Sequence, residues 1–509
     1  MKNYIKAAAA LAFTFGIVGC NLDTEVSEYV SQQRHEELVV NPETRAQIAR
    51  AATAKIYSLF QEPYSDDAHD DFGLKAFQVA TDMMCEDMVF LRPAWFWYDY
   101  QIDNRMQNYR RTRSTWGQFY EIIAKVNLNL ETYFAQASTD PEVLAAKGEA
   151  LALRGIAYFH LVNFYQHTYK GHESAPGVPL ALKSTDQNLP RATVQEVYKQ
   201  IIKDLTFAVE NCRNTAVHTD VDRSVAAAYL AKVYAQMEDW PNVETYAKIA
   251  VQGGTDKVTE PARGWDVGQE DVLWGYDINT QNSSLWASYW SHMDHFLARG
   301  YAAGGATKLI YNYLYNQIPK TDSRRKLWIN KEEYPDVATS MLHQTHNPDM
   351  KSMDDLDDLE QVKFVAGDAG MEQDYCFIRV QDPILLEIEA LVEQNKLAEA
   401  QAQLNAFVRK RNPEFEAPST QDALRKEVRF QRRIELWGEG TNWFDMKRWK
   451  ETIDRTKGYE AMDKDGKEVK VSSNHPASVQ RKMATDAKEY LHQLPVKEIN
   501  ANPNLTQNP

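Results

Sequence analysis

The chain has 509 residues, of which 43% are hydrophobic and 25% are charged, and its formal net charge is −15. These proportions are typical of globular proteins and exclude a wholly disordered or collagen-like chain. The negative balance argues against a general nucleic-acid binder, because phosphate contacts need clustered lysine and arginine. The 12 tryptophans and 26 tyrosines suit either dense helix packing or flat apolar surfaces that hold a ligand.

Residues 1–19 have the pattern of a secretory signal. A positively charged start is followed by an uncharged run from Ala7 to Gly19. This run is shorter than the about 20 apolar residues that a membrane-spanning helix needs. Its end, Ile17-Val18-Gly19-Cys20, resembles a bacterial lipobox, in which the cysteine is lipidated after cleavage. We therefore expect a lipid anchor at Cys20; the alternative is a plain secretory signal that contains a cysteine.

The other three cysteines, Cys85, Cys212 and Cys376, have no regular spacing. An odd number of thiols does not make a disulfide framework, and no C-x-x-C motif indicates zinc. We expect them to be small buried hydrophobic residues. No later stretch is apolar enough to cross a membrane.

Helical periodicity runs through much of the remaining chain. Apolar residues recur at helical spacing over 41–60, 114–137 and 142–168. Thr193 and Glu196 form a capping-box pattern, which predicts a helix that ends near Cys212.

Two stretches fit the tetratricopeptide pattern, in which small or apolar residues recur at fixed positions of a 34-residue helix pair. In the first stretch these positions are Ala231, Tyr234, Val243, Ala247 and Ala250. In the second they are Ile388, Leu391, Ala400, Leu404 and Phe407. Any amphipathic hairpin fits part of such a pattern, but two matches in one chain predict a short helix-pair array.

The region 253–380 has an irregular texture, and such long loops are uncommon unless they are functional. We interpret the acidic run Asp354–Asp358 as a solvated loop and the calcium-loop-like Asp463–Gly466 as a β-turn, because the twelfth position is Asn474. The motifs of hydrolases, nucleotide-binding loops and zinc proteases are absent from the sequence. Carboxylate pairs for glycoside hydrolysis are a matter of distance in space, which the sequence does not show.

Two aromatic clusters are the candidate ligand site. The first is Trp95, Trp97 and Tyr98 with Asn104 nearby, and the second is Trp286, Tyr289 and Trp290 with His292. Consecutive aromatics from Trp95 to Tyr98 cannot all face one core, so at least one is expected to be exposed. Aromatic faces stack on sugar rings, and neighbouring polar groups bind hydroxyls. The alternative is that these rings pack loops onto the helices.

Several blocks of the sequence resemble the SusD/RagB family of outer-membrane lipoproteins. One begins at Cys20, as Cys20-Asn21-Leu22-Asp23-Thr24-Glu25. A second runs from Ala150 to Tyr165 and is followed by Gly177-Val178-Pro179-Leu180. A third is Arg432-Arg433-Ile434-Glu435-Leu436-Trp437-Gly438-Glu439-Gly440, and a fourth runs from Leu494 to Leu505. Their order and spacing cover nearly the whole chain after residue 19.

The resemblance implies a mainly α fold: a tetratricopeptide-like helix-pair array, SusD-like, with a large irregular loop-rich half. It implies that 20–509 form this fold. The helix-pair scaffold would lie mainly in 41–252 and 380–450, and the loop-rich ligand side mainly in 60–113 and 253–380. Arg432, Arg433, Glu435 and Asp445 are expected to form buried arginine–carboxylate pairs that fix a helix end.

The resemblance also implies a function. Members of the family are binding proteins without a cofactor, anchored by lipid at the cell surface of the outer membrane. There they cover a TonB-dependent transporter of the SusC type and pass it an oligosaccharide. We expect this chain to bind an oligosaccharide or polysaccharide and no nucleic acid, to need no metal, and not to be an enzyme. The alternatives are a RagB-like member that captures peptides or proteins, and a hydrolase on a helical scaffold.

Overall fold

The computed structural model describes residues 40–65, 68–252, 254–260, 265–366, 372–462 and 465–509. The predicted signal peptide, Cys20 and the first two residues of the predicted turn at Asp463–Gly466 lie outside these residues. No helix in the part of the chain so described has the length and apolar character to span a membrane.

Helices dominate the part of the chain before residue 252. They are α1 (Pro42–Ser58), α2 (Leu74–Met84), α3 (Trp97–Tyr100), α4 (Arg110–Tyr133), α5 (Pro141–Tyr165), α6 (Val194–Asn211), α7 (Arg223–Met237) and α8 (Trp240–Ala250). Three short helices follow in the irregular region: α9 (Tyr289–Met293), α10 (Asn312–Tyr315) and α11 (Pro335–Gln344). The last five are α12 (Gln381–Glu393), α13 (Leu397–Val408), α14 (Gln421–Glu435), α15 (Asn442–Trp449) and α16 (Val496–Ala501).

The strands pair as four small antiparallel sheets. They are β1 (Met88–Phe90) with β3 (Lys308–Ile310), β2 (Val272–Tyr276) with β4 (Tyr375–Arg379), β5 (Ile453–Asp454) with β8 (Lys482–Met483), and β6 (Tyr459–Met462) with β7 (Glu468–Val471). The β1–β3 pair matters for the site, because it joins the segment that precedes the first aromatic cluster to the segment that follows the second.

Local sequence signals explain where the long helices begin. The side chain of Asn41 accepts hydrogen bonds from the first turn of α1, and Asp140 does the same for α5. Both helices start with a proline, which has no backbone N–H. Nothing is lost by this, because an N–H at the start of a helix has no acceptor within the helix. The predicted capping box between Thr193 and Glu196 is present in both directions, which confirms the predicted start of α6.

The predicted helix pairs are present. The first fitted stretch forms α7 and α8, and Ala231, Val243 and Ala247 are fully buried between them. The second forms α12 and α13, with its five fitted positions all buried. Helix α8 packs against α12, and Leu386 and Ala390 of α12 share a core cluster with Ala231. The fold is therefore mainly α, with a tetratricopeptide-like helix-pair array and an irregular loop-rich part.

The charged block near residue 432 is buried as predicted except for Arg433, which is half-buried. Arg432 pairs with Asp382 and with Asp445, each at 2.9 Å, and Arg433 pairs with Glu86 at 2.6 Å. Glu435 accepts hydrogen bonds from two further buried arginines, Arg324 and Arg411. The three cysteines expected to be buried are buried free thiols.

Candidate functional site

The first aromatic cluster is divided between core and surface by its backbone. Phe96 has a left-handed conformation with φ of 70°, which side chains of this size rarely adopt. Its ring is buried against His292, with ring centroids 5.0 Å apart. The neighbours are thereby turned outwards: Trp95 and Trp97 are half-buried, and Tyr98 is 57% exposed. The expectation that one of the consecutive aromatics is exposed is confirmed.

Buried ion pairs hold this loop in place. Arg111, in the first turn of α4, pairs with Asp99 at 3.0 Å and with Asp70 at 3.3 Å. Asn104, a predicted ligand residue, is 5% exposed and donates a hydrogen bond to Asp99 at 3.2 Å. Burial raises the pKa of Asp99, and the adjacent Arg111 opposes this effect. In this structure Asn104 therefore anchors the loop from inside.

Four arginines lie between residues 105 and 113, a pattern that predicts a solvated helix end or, as the alternative, a patch that attracts anions. The prediction of a solvated helix end is wrong for Arg105 and Arg111, which are buried. Polar partners offset the cost of removing these charges from water, since Arg105 donates to Leu491 O and Arg111 pairs with two carboxylates. Arg113 is exposed, and Arg110 is partly exposed.

Most of the second aromatic cluster lies inside the protein. Tyr289, Trp290 and His292 belong to α9 and are at most 2% exposed. The indole of Trp290 donates to Gln373 O at 2.8 Å. His292 Nε2 donates to His69 O at 2.7 Å, and burial lowers the pKa of His292 to about 3, so the ring is neutral. Trp286, which precedes α9, is the exposed member at 41%.

Tyr301 brings the two clusters together. Its ring is stacked on His292 at 4.9 Å and contacts Trp286 at 5.3 Å and Trp95 at 6.4 Å, both edge-on. His69 shares a hydrogen bond with the Tyr301 hydroxyl and lies 5.4 Å from Trp95. We call the rings of Trp95, Trp286, Tyr301 and His69 the aromatic platform.

Sequence reasoning missed Tyr301 and His69. Tyr301 is a lone aromatic beside Gly300 and before Gly304 and Gly305, so a tyrosine in a glycine-rich turn after an aromatic cluster is the signal that was available. His69 has no comparable signal, because it lies in a polar segment with acidic neighbours.

A cation lies against one ring of the platform. The guanidinium of Arg110 lies 5.0 Å from the centre of the Trp95 ring and forms an ion pair with Asp70. Its side chain is 30% exposed, so it has donors close to solvent beside an aromatic face. Such a cation both orients the indole and can donate hydrogen bonds to ligand hydroxyls.

The remaining predicted residues lie elsewhere. Trp97 packs on Phe90 at 5.8 Å and on Tyr100 at 5.6 Å. Tyr98 pairs instead with Tyr109, at 6.1 Å, and both rings are exposed. Of the eight predicted ligand residues, the structure thus places Trp95 and Trp286 on the platform and His292 directly beneath it.

The acidic run Asp354–Asp358, predicted as a solvated loop, borders a polar cleft. The cleft has a volume of about 310 Å³, and its lining includes Arg92, Gly305, Asp354 and Asp357. Asp354 and Asp358 are exposed. Within the described part of the chain, no group of three or more His, Cys, Asp or Glu side chains is placed to hold a metal ion.

The structure combines a helix-pair scaffold with loops that carry an aromatic platform, of which Trp286 is the exposed ring. The SusD family model matches residues 312–509. A second model, described as starch-binding and associating with the outer membrane, matches residues 42–235. The two matches together cover most of the chain and fall on both parts of the helical scaffold. The chain belongs to the SusD/RagB family.

Known relatives agree with this assignment. Two SusD-like proteins of Formosa agariphila are each 23% identical to the chain, over 67% and 77% of its length and 72% and 79% of theirs. A solved SusD-like carbohydrate-binding protein from Bacteroides vulgatus shares 22% identity and a TM-score of 0.73, over 90% of this chain and 97% of that one. A SusD superfamily protein from the same species has the same TM-score at 19% identity, over 91% and 98%. These structures show a shared fold.

Proposed function

We propose that this chain is a surface-exposed lipoprotein that captures oligosaccharides on the aromatic platform and delivers them to a SusC-like TonB-dependent transporter of the outer membrane. It binds the sugar chain without catalysing a reaction on it. Lipid at Cys20 would anchor it, a role that rests on the sequence resemblance alone.

The observation that supports carbohydrate binding is the construction of the platform. Its rings come from segments around residues 69, 95, 286 and 301, and buried ion pairs fix the loop that carries Trp95. Trp286 is exposed and Trp95 is half-buried, and Arg110 and His69 provide polar atoms beside Trp95. Apolar faces with a few fixed polar groups suit sugar rings, which present C–H faces and hydroxyls.

Family membership supports the same proposal. The model that matches residues 42–235 is described as starch-binding and as associating with the outer membrane. One neighbour in structure is named a carbohydrate-binding protein. An array of neutral and anionic polysaccharides is therefore the first set of probes.

The test is a binding screen of the purified full chain against that array and against a peptide mixture. We expect binding to one class of glycan with a Kd between micromolar and millimolar, about −8 to −4 kcal/mol. Trp286→Ala and Trp95→Ala should each weaken this binding about tenfold, since loss of a stacked ring removes about 1.4 kcal/mol. Their melting temperatures should change little, because neither ring is fully buried.

Tyr98→Ala is the matched control. Tyr98 is the most exposed aromatic of its cluster, but it pairs with Tyr109 rather than with Tyr301. Unchanged affinity of both tryptophan variants would contradict the platform as the site. Binding to peptides alone would favour the RagB-like alternative instead.

Delivery to a transporter has its own test. If the proposal is right, the chain and a TonB-dependent transporter of its native outer membrane should purify together. A chain that binds glycans and purifies alone under mild detergent would contradict this part of the proposal.

A further inference from the structure

A groove separate from the polar cleft lies along helix α4. It encloses about 470 Å³, which is within the range of ligand sites in proteins. One wall is the face of α4, and the other is formed by the segment 179–189 together with α16 near the C-terminus. Residues that line it include Tyr64, Trp116, Tyr120, Lys183, Asn188 and Glu498.

The walls of the groove are fixed by hydrogen bonds between segments remote in sequence. The hydroxyl of Tyr120 donates to Pro179 O at 2.8 Å. The amides of Asn502 and Asn504 donate to Leu189 O at 2.9 Å and to Asn188 O at 2.7 Å. The Tyr120 bond connects the two walls and the two asparagine bonds hold the second wall together, so the groove is a preformed feature of the described fold.

Tyr64 provides an aromatic surface at this groove. Its side chain is 41% exposed, and the phenol end lies directly against Gly117 of α4. A Cβ atom at position 117 would collide with that phenol, so the close approach requires glycine. The chain on either side of Tyr64 is fixed, because Glu62 O accepts from Gln118 at 2.9 Å and Ser65 N donates to Asp71 at 3.1 Å.

The groove and the aromatic platform share one face of α4. Arg110, which touches Trp95, and Gly117, which touches Tyr64, are seven residues apart and so point in nearly the same direction. Two helical turns separate them, about 10 Å along the axis. Arg113 lies between them and is exposed. Tyr64 and His69 are five positions apart in the sequence, so the groove and the platform each take an aromatic ring from this part of the chain.

The chemistry of the groove resembles that of the platform. Its lining combines aromatic rings with amides. The charged groups of the lining have both signs: Lys183 is positive, and Asp186 and Glu498 are negative. This mixture does not favour a strongly anionic or cationic ligand. It suits an uncharged chain that presents apolar faces and many hydroxyls.

We infer that the groove beside Tyr64 is a second subsite for the same neutral carbohydrate chain that the platform holds. The protein then selects chains long enough to extend over two turns of α4. This inference rests on the proposed function, because the chain that crosses α4 is the one bound at the platform.

The test compares affinity with chain length. The full chain and its variants are titrated with malto-, cello-, xylo- and manno-oligosaccharides of increasing length. For the series that binds, we expect affinity to increase with chain length. From the shortest to the longest member, the increase for the wild type should be about ten times the increase for Tyr64→Ala. Short members, which occupy only the platform, should bind the wild type and Tyr64→Ala equally.

Gly117→Ala tests the same surface without removing the ring. The added methyl group displaces the Tyr64 phenol, while alanine is well tolerated in a helix. It should therefore reproduce the length-dependent loss with an unchanged melting temperature. Leu128→Ala, on an exposed position of the same helix, is the matched control and should bind as the wild type does at every length.

The outcomes separate the two proposals. If short and long members bind the wild type, Tyr64→Ala and Gly117→Ala with the same affinities, the second subsite is wrong and the platform stands. If no member of any series binds the wild type, the second subsite for a neutral chain is wrong, whereas the proposed function is decided by the wider array of neutral and anionic polysaccharides.

Discussion

Backbone conformation at single residues decides which aromatic rings are exposed. Phe96 and Ile102 both have positive φ, of 70° and 64°, within the loop that carries Trp95. Such conformations are costly for bulky side chains and persist only where the surroundings enforce them. Here the buried Phe96 ring and the Asp99–Arg111 pair do so. The platform is therefore held in shape before a ligand arrives.

His492 gives a prediction at the residue scale. It is 1% exposed, and neither ring nitrogen has a hydrogen-bond partner within the described residues. Burial lowers its pKa from 6.5 to about 3. Below pH 6.5 the unfolded chain gains a proton at this position that the folded chain does not bind. His492 therefore reduces the free energy of unfolding as the pH falls towards 3, by about 1.4 kcal/mol per pH unit.

His492→Phe removes this effect. Between pH 7 and pH 4.5, the free energy of unfolding of the variant should rise relative to the wild type by about 2–3 kcal/mol. Urea titrations of both proteins at the two pH values measure this change. If the free energies of unfolding of the variant and the wild type differ by the same amount at both pH values, His492 is not a neutral buried histidine.

The candidate site was only partly predictable from single residues. The sequence indicated both aromatic clusters, and Trp95 and Trp286 do lie together on the platform through Tyr301. It could not show that Tyr289 and Trp290 face inwards, because aromatic composition does not distinguish a core ring from an exposed one. Nor could it show the contact between His69 and Tyr301, since 232 positions separate them along the chain.

At the scale of elements, buried charge as well as apolar packing places the last turn of α14. Its last turn carries Arg432, Arg433 and Glu435, and all three pair with carboxylates or guanidiniums from other segments. The guanidiniums of Arg411 and Arg324, at 2.9 and 3.2 Å, lower the pKa of the buried Glu435 well below its usual range, despite the desolvation that opposes ionisation. The carboxylate is therefore ionised and holds Arg324 and Arg411 together.

Glu435→Gln should be strongly destabilising. Removal of the charge leaves the buried Arg411 without a carboxylate and Arg324 with Asp322 alone, which lowers the free energy of unfolding by about 3–5 kcal/mol. Glu416→Gln is the control, because Glu416 pairs with Arg409 at the surface, where an ion pair contributes less than about 1 kcal/mol. Urea unfolding of the two variants measures the difference. Equal small effects would show that the buried pair does not determine the position of α14.

Helix positions were predictable wherever apolar spacing and caps agreed. The capping box at Thr193 and the helix pairs around residues 231 and 388 are examples. The start of α4 was predicted four residues too late, because its first turn contains three arginines and shows no apolar periodicity. That turn is helical because Arg110 and Arg111 meet Asp70 and Asp99, which is a tertiary effect.

At the scale of the whole molecule, the regions that match the two family models are joined by buried contacts. Arg433 pairs with Glu86 and Asp87 across more than three hundred residues of sequence. Arg455 donates to the carbonyls of Cys85 and Tyr100. Asn508 donates to Tyr165 O at 2.8 Å. The sequence did not indicate these pairings, because long-range contacts between irregular segments leave no local pattern.

This connectivity predicts cooperative unfolding. The two matched regions share buried ion pairs, so neither can unfold without leaving charges of the other unpaired. Differential scanning calorimetry should show one transition, with the calorimetric enthalpy equal to the van't Hoff enthalpy. Two resolved transitions would contradict the interdependence of the regions.

The exposure of Trp286 has an optical consequence. All 12 tryptophans lie in the described part of the chain. Among them Trp286 is the exposed one, and it belongs to the platform. Emission at the red edge of the tryptophan band comes mainly from this solvated ring, because water lowers the energy of the excited indole. A ligand that covers it shields it from acrylamide and shifts its emission to the blue. The molecule thus carries its own fluorescent reporter of occupancy, and titrations need no attached dye.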